Sequence, residues 1–132
     1  MSSAIGASAQ RLDATGKVTG KTCFPGDLAR PDMLHMKILF AGRPHARMRS
    51  VDTRTAQAHP GVIAVFTAAD VPVNEYGLIN ADQPVLVGIG SDKAGADVAR
   101  FVGDQVALVV AESESAAAAA RELIDVAWEE LA

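Results

Sequence analysis

Three histidines, His35, His45 and His59, are the side chains in this sequence best suited to hold a metal ion. Their spacings of ten and fourteen residues fit no compact ligand motif, and no carboxylate cluster joins them, so structural or surface roles are expected. Gly16-Lys-Val-Thr-Gly-Lys21 has the outline of a phosphate loop, but that pattern needs four residues between its glycines and a Lys-Ser/Thr after them. Only three residues separate Gly16 from Gly20, with no predicted strand before and no predicted helix after, so a loop turning on two glycines is expected. Cys23 sits beside Phe24-Pro25-Gly26 with only Lys21 near enough to lower its pKa, which argues against a catalytic thiolate. Asp97, Arg100 and Asp104 surround a turn, Glu129 and Glu130 lie near the end, and all five read as solvated charges. No nucleophile–base pair emerges. No catalytic, cofactor-binding or metal residue is therefore assigned.

One further group of residues has a specific chemistry. Ser91-Asp92-Lys93-Ala94 is similar to the turn at which lipoyl carrier domains are modified, where an exposed lysine amine is offered to a ligase. The alternative function this supports is a stand-alone binding or carrier module with Lys93 as its attachment site. The flanking segments lack the regular strands that such a hairpin needs.

The elements that would position these residues follow from periodicity. Met33–Pro72 reads as a β-α-β unit. Leu34–Phe40 alternates as a half-buried strand, and His45–Val51 is a second extended run. Asp52 is placed to cap a short helix over Thr53–His59, which Pro60-Gly61 ends. Val62–Thr67 is a buried strand. In the last third, Phe101-Val102 and Gln105–Ala111 are extended, and Ser113 caps an alanine-rich helix reaching Leu123, with Glu114 near its positive end. Ile124–Trp128 is a strand with Ile124, Val126 and Trp128 on one face. The alanine run allows two readings, close packing on another surface or a high-propensity exposed helix.

Between these units, Asn74–Gly95 is turn-rich, with one short strand at Val85–Val87. Arg11–Leu28, glycine-rich and with few apolar residues, suits a loop that wraps a larger body. Residues 1–10 are expected to form a flexible arm, and residues 11–132 a single domain. The fold class is α+β (mixed α/β): two β-α-β units joined by glycine-rich β structure.

A chain of 132 residues with 49% apolar and 21% charged residues can bury one hydrophobic core. A net charge of −4 argues against nucleic acid or an anionic membrane as the main partner. A single cysteine excludes an internal disulfide and fits a reducing compartment. Neither a signal peptide nor an apolar run of the roughly 18 residues a membrane span needs is present, so the expected location is the cytoplasm.

Taken in order, a dozen short segments add up to a resemblance. They are Arg11-Leu-Asp-Ala14, Lys17-Val-Thr-Gly20, Phe24, Asp27-Leu28, Met33-Leu-His35, Pro44-His-Ala-Arg47, Val51-Asp52, Pro60-Gly-Val62, Asp82-Gln-Pro84, Phe101-Val-Gly103, Val106-Ala107 and Val126-Ala-Trp-Glu129. From about residue 6 onward, apart from Val87–Ala96, the chain resembles the opening of the large, molybdopterin-binding subunit of the xanthine dehydrogenase and aldehyde oxidase family. Asp104-Gln105 departs from the Gln-Pro or Asp-Pro more usual there.

The resemblance implies an a/b hammerhead domain with a structural and docking role in a molybdenum hydroxylase. It implies a parent enzyme that hydroxylates an aldehyde or N-heterocycle carbon, with molybdenum–molybdopterin, iron–sulfur clusters and FAD on other domains or subunits. Those domains and subunits are the implied partners. The molybdopterin loops and the catalytic glutamate of the family match no position here, so the chain is expected to bind no cofactor alone. It is expected to be an excised domain or a separately encoded piece of a split enzyme.

Overall fold

The computed structural model describes Ile5, Gly6, Ser8 and residues 11–132. The arm expected at residues 1–10 lies largely outside the described residues. The chain divides into two compact units, Met1–Met33 and Leu34–Ala132.

In the first unit, Arg11–Leu28 is not all loop. Helix α1 spans Ala14–Val18. Local charge explains it: the Asp13 carboxylate takes Arg11 Nε at 2.7 Å and, one turn on, Lys17 Nζ at 2.6 Å. Gly16 lies inside this helix, and Gly20 (φ 70°) turns the chain just beyond it. That placement removes the phosphate-loop geometry. A single helical turn at Pro25–Asp27 follows, with Asp27 Oδ2 accepting the Phe24 N–H at 2.9 Å.

The second unit holds strands β1 (His35–Phe40), β2 (Ala46–Asp52), β3 (Val62–Phe66), β4 (Val98–Ala99), β5 (Gln105–Ala111) and β6 (Asp125–Glu130). Helix α2 spans Arg54–Gln57, and α3 spans Glu114–Arg121. The strands form two three-stranded antiparallel sheets, β1-β5-β3 and β4-β2-β6. The succession strand–helix–strand occurs twice along this unit, as expected. The pairing differs from a simple β-α-β unit: β1 and β3 both pair with β5, while β5 and β6, on either side of α3, belong to different sheets. Sheet one runs from His35↔Ala111 to Phe40↔Gln105 on one side of β5 and from Val62↔Ala111 to Phe66↔Leu108 on the other.

Local boundaries follow from specific hydrogen bonds. α2 is shorter than Thr53–His59, and Thr53 rather than Asp52 occupies its N-cap, although Asp52 Oδ1 does accept the Arg54 N–H at 3.0 Å. Gly61, with φ 82°, reverses the chain into β3. Its carbonyl accepts the Glu112 N–H at 2.8 Å. Val85–Val87 is not a strand. Leu86 is bound on both backbone groups by a side chain, and Val87 N donates to Gln105 O, so no ladder forms. Phe101-Val102 is a turn rather than extended, because Asp104 Oδ2 accepts the N–H groups of Arg100 at 2.7 Å and Phe101 at 3.1 Å. The short strand there is β4, just upstream.

The core lies where α3 packs on β1 and β5. Ser113 caps α3 as expected, its hydroxyl accepting the Ala116 N–H at 3.2 Å. Ala117 and Ala120 are fully buried against Val109 and Ala111, which decides the alanine run in favour of close packing. Ile124, Val126 and Trp128 turn to the same core, as the alternation predicts.

Candidate functional site

Antiparallel pairing gives sheet β1-β5-β3 two distinct faces. Leu39, Ala107, Val109 and Ala111 face α3, and on that side Lys37 Nζ meets Glu114 Oε1 at 2.5 Å. The alternate residues face away: Met36 opposite Val110, Ile38 opposite Leu108, with Ala64 and Phe66 opposite the same two positions of β5. All six are apolar, and none is buried. Met36 is 55% and Phe66 42% exposed. A sheet face that alternates correctly normally places polar residues toward water. This one does not.

A second feature is the segment from Asn74 to Leu86. Tyr76 and Gln83 form a reciprocal backbone bridge, at 2.8 and 3.1 Å. At the base, the buried Asn74 side chain donates to Leu86 O and accepts from Leu86 N, both at 2.8 Å, and also reaches Ser91 Oγ at 3.0 Å. Lys93 Nζ spans the two arms, meeting Glu75 Oε2 and Ala81 O at 3.2 Å each. Between this hairpin and the Arg100–Asp104 turn lies an open groove of about 630 Å³, lined by Gln83, Pro84, Arg100 and Phe101 among others. Of the charged residues lining it, Lys93 pairs with Glu75, and Arg100 and Asp104 are committed to the backbone. Arg100 Nη1 donates to Val98 O at 3.1 Å, and Asp104 caps the turn. The groove is lined by no serine, threonine, cysteine or histidine, so no base stands beside a nucleophile there.

The structure keeps the three histidines apart. His35 lies in β1, His45 Nδ1 is 2.8 Å from Ala132 O, and His59 Nδ1 is 2.9 Å from Pro60 O. Among the described residues no group of three His, Cys, Asp or Glu could hold a metal ion. Cys23 is exposed in the first unit.

The carrier reading of Lys93 is overturned. Its side chain is only 17% exposed and is engaged with Glu75, whereas a modified lysine must project freely from a hairpin tip. The acids expected to be merely solvated have partners: Asp97 pairs with Arg47 at 2.8 Å, Glu130 with Arg43 at 3.0 Å, and Glu129 with Arg49. These pairs cross between elements far apart in sequence, so spacing along the chain carried no sign of them. Asp52 is clasped by the Arg54 guanidinium and backbone N–H, which together hold its carboxyl down to about 2.

Comparison with known proteins agrees with this geometry. Residues 19–132 match the family model described as aldehyde oxidase and xanthine dehydrogenase, a/b hammerhead domain. The chain is 45% identical over 122 residues to one of the probable xanthine dehydrogenase subunits of Bacillus subtilis, covering 92% of this chain and 15% of that protein. Two similar solved structures are a reconstituted CO dehydrogenase from Oligotropha carboxidovorans and a quinoline 2-oxidoreductase from Pseudomonas putida 86. The first superposes with a TM-score of 0.82 at 33% identity, over 96% of this chain and 15% of that one. For the second the TM-score is 0.79 at 37% identity, over 96% and 16%. Two small antiparallel sheets with α3 packed on the first, together with these matches, place the chain in the aldehyde oxidase and xanthine dehydrogenase family, as an a/b hammerhead domain.

Proposed function

We propose that this chain is a structural and docking domain of a molybdenum hydroxylase and carries no part of the active site. The observation that carries the reading is the open apolar face of Met36, Ile38, Ala64, Phe66, Leu108 and Val110, on a chain that covers 15% of its Bacillus relative. Fully burying one such large side chain is worth about 1.5–3 kcal/mol, so a partner surface that covers the face gains substantially. Leu12, Val18, Phe24 and Leu28 of the first unit are likewise exposed and would be covered in the same assembly.

The parent enzyme would hydroxylate an aldehyde or N-heterocycle carbon, with molybdenum–molybdopterin bound elsewhere. Iron–sulfur clusters and FAD would lie on further domains or subunits, and these are the partners. In this reading the molybdopterin is held outside the described residues, among which Cys23 is the one thiol and no group of three His, Cys, Asp or Glu could hold a metal ion. No reaction step is assigned to them. No helix among the described residues is long and apolar enough to cross a membrane, and the cytoplasm is the proposed location. Residues 11–132 would act as one domain in the assembly, with 1–10 as its arm.

The test places Met36→Glu and Phe66→Glu in the chain as it occurs in the complete enzyme. Both changes lie on the open face, so assembly with the molybdenum-containing part should fall at least tenfold while the far-ultraviolet circular dichroism of the chain is retained. Oxidation of aldehydes or purines by the chain alone would refute the reading.

A further inference from the structure

Leu78 and Ile79 are 105% and 95% exposed, adjacent, and at the tip of the hairpin bridged by Tyr76 and Gln83. Single exposed apolar residues are ordinary on protein surfaces and need no explanation. These two differ because the segment beneath them is built to hold them out.

Three sets of contacts brace that segment in turn. The Asn74 amide, only 6% exposed, holds Leu86 at the base through two hydrogen bonds. Lys93 Nζ then ties Glu75 on one arm to Ala81 on the other. The Tyr76–Gln83 bridge closes the arms just under the tip. Gly77 completes it: a Cβ there would lie 1.7 Å from Asn80 O, so only glycine lets the chain fold back this tightly. The tip from Tyr76 to Ala81 contains no charged residue. An ordinary surface loop of this length would be polar and lightly anchored.

We propose that this hairpin is a docking plug, and that Leu78 and Ile79 seat in an apolar pocket on the remaining domains of the parent enzyme. The inference rests on the docking reading above and adds a site outside the open sheet face. The occupant is argued from length and chemistry. The chain covers 15% of the relative from Bacillus subtilis, which therefore extends far beyond the matched stretch, and a parent enzyme of similar length would offer a large protein surface to receive the tip. A net charge of −4 disfavours an anionic membrane as the receiver. Two uncharged aliphatic side chains are recognised by an apolar cavity, not by a charged groove. In this arrangement Lys93 is a positioning residue, a brace that fixes where the tip points.

The experiment uses the assembled enzyme with Ile79→Cys in a Cys23→Ser background, and follows the rate of maleimide labelling at residue 79. The reference is the same protein unfolded in urea. The expected result is labelling at least tenfold slower in the assembled enzyme. Labelling at the unfolded rate overturns the proposal. In parallel, Leu78→Asp with Ile79→Asp should lower the molybdenum recovered per copy of this chain at least tenfold, with the circular dichroism of the chain unchanged. Unchanged recovery overturns it. A chain that dimerises through the tip, shown by Leu78→Asp with Ile79→Asp becoming monomeric, also overturns it by naming a second copy as the occupant. If the assembled enzyme contains no molybdenum, the docking reading falls, whereas slow labelling of residue 79 still shows that the tip is buried against a partner.

Discussion

The Asn74 amide replaces a strand for Leu86. Its Nδ2 donates to the Leu86 carbonyl and its Oδ1 accepts the Leu86 N–H, each at 2.8 Å, so one side chain satisfies both backbone groups of a buried residue. Asn74→Leu removes both partners without opening the site to water. It should destabilise the fold by about 1–3 kcal/mol for each backbone group left unpaired, measured by urea unfolding. Asn74→Gln, with the same groups on a longer arm, should recover only part of that loss.

The alanines of α3 are not equivalent. Ala120 is fully buried and Ala119 is exposed. Ala120→Leu forces a larger side chain between α3 and the sheet and should cost about 1–3 kcal/mol in thermal or urea unfolding. Ala119→Leu should change stability by no more than about 0.5 kcal/mol.

Ser113 starts α3 by accepting the Ala116 N–H. Ser113→Ala leaves that donor without its cap and should cost about 1 kcal/mol, while Ser113→Asp should retain most of the stability. Equilibrium unfolding of the two variants distinguishes them.

Asp52 provides a pH signature. The side-chain hydrogen bond from Arg54, and then its backbone N–H, hold the Asp52 carboxyl at about 2 instead of the usual 3.8. A carboxyl depressed by folding stabilises the folded state above its ordinary value, and the contribution is lost as pH falls from 3.8 through about 2. The carboxyl is solvent-exposed, so the signature is clearest in its own titration. Carbon-13 titration of the Asp52 side chain should give a midpoint near 2, and Arg54→Ala should move it up toward 3.8.

The elements carried by local signals were legible in the sequence. β1, β2, β3, β5 and β6 show apolar alternation or β-branched runs, and α3 shows its serine cap and helix-forming alanines. Pairing was not legible, because alternation says which residues share a face but not which strand lies alongside. Nothing near β5 announces that β1 and β3 are its two neighbours.

Val85–Val87 was misleading for a related reason. Leu86 and Val87 are buried while Val85 is exposed, and Leu86 is held by a side-chain clamp rather than by a ladder; Asn74, twelve residues away, gives no local sign of that. Lys93 likewise has partners eighteen and twelve residues away in Glu75 and Ala81. The open sheet face was only partly visible in sequence, since apolar alternation in β1 looks the same whether one side or both will be covered.

The central place of β5 sets the order in which the chain can assemble during synthesis. β1 and β3 are made first, yet each must wait for Gln105–Ala111 before it has a partner in its sheet. Until then their apolar residues leave the ribosome unpaired, and closing the sheet brings together segments that are distant in sequence, which slows folding. The nascent chain is therefore most exposed to aggregation between the emergence of β3 and that of β5, the interval in which a chaperone would have most to protect.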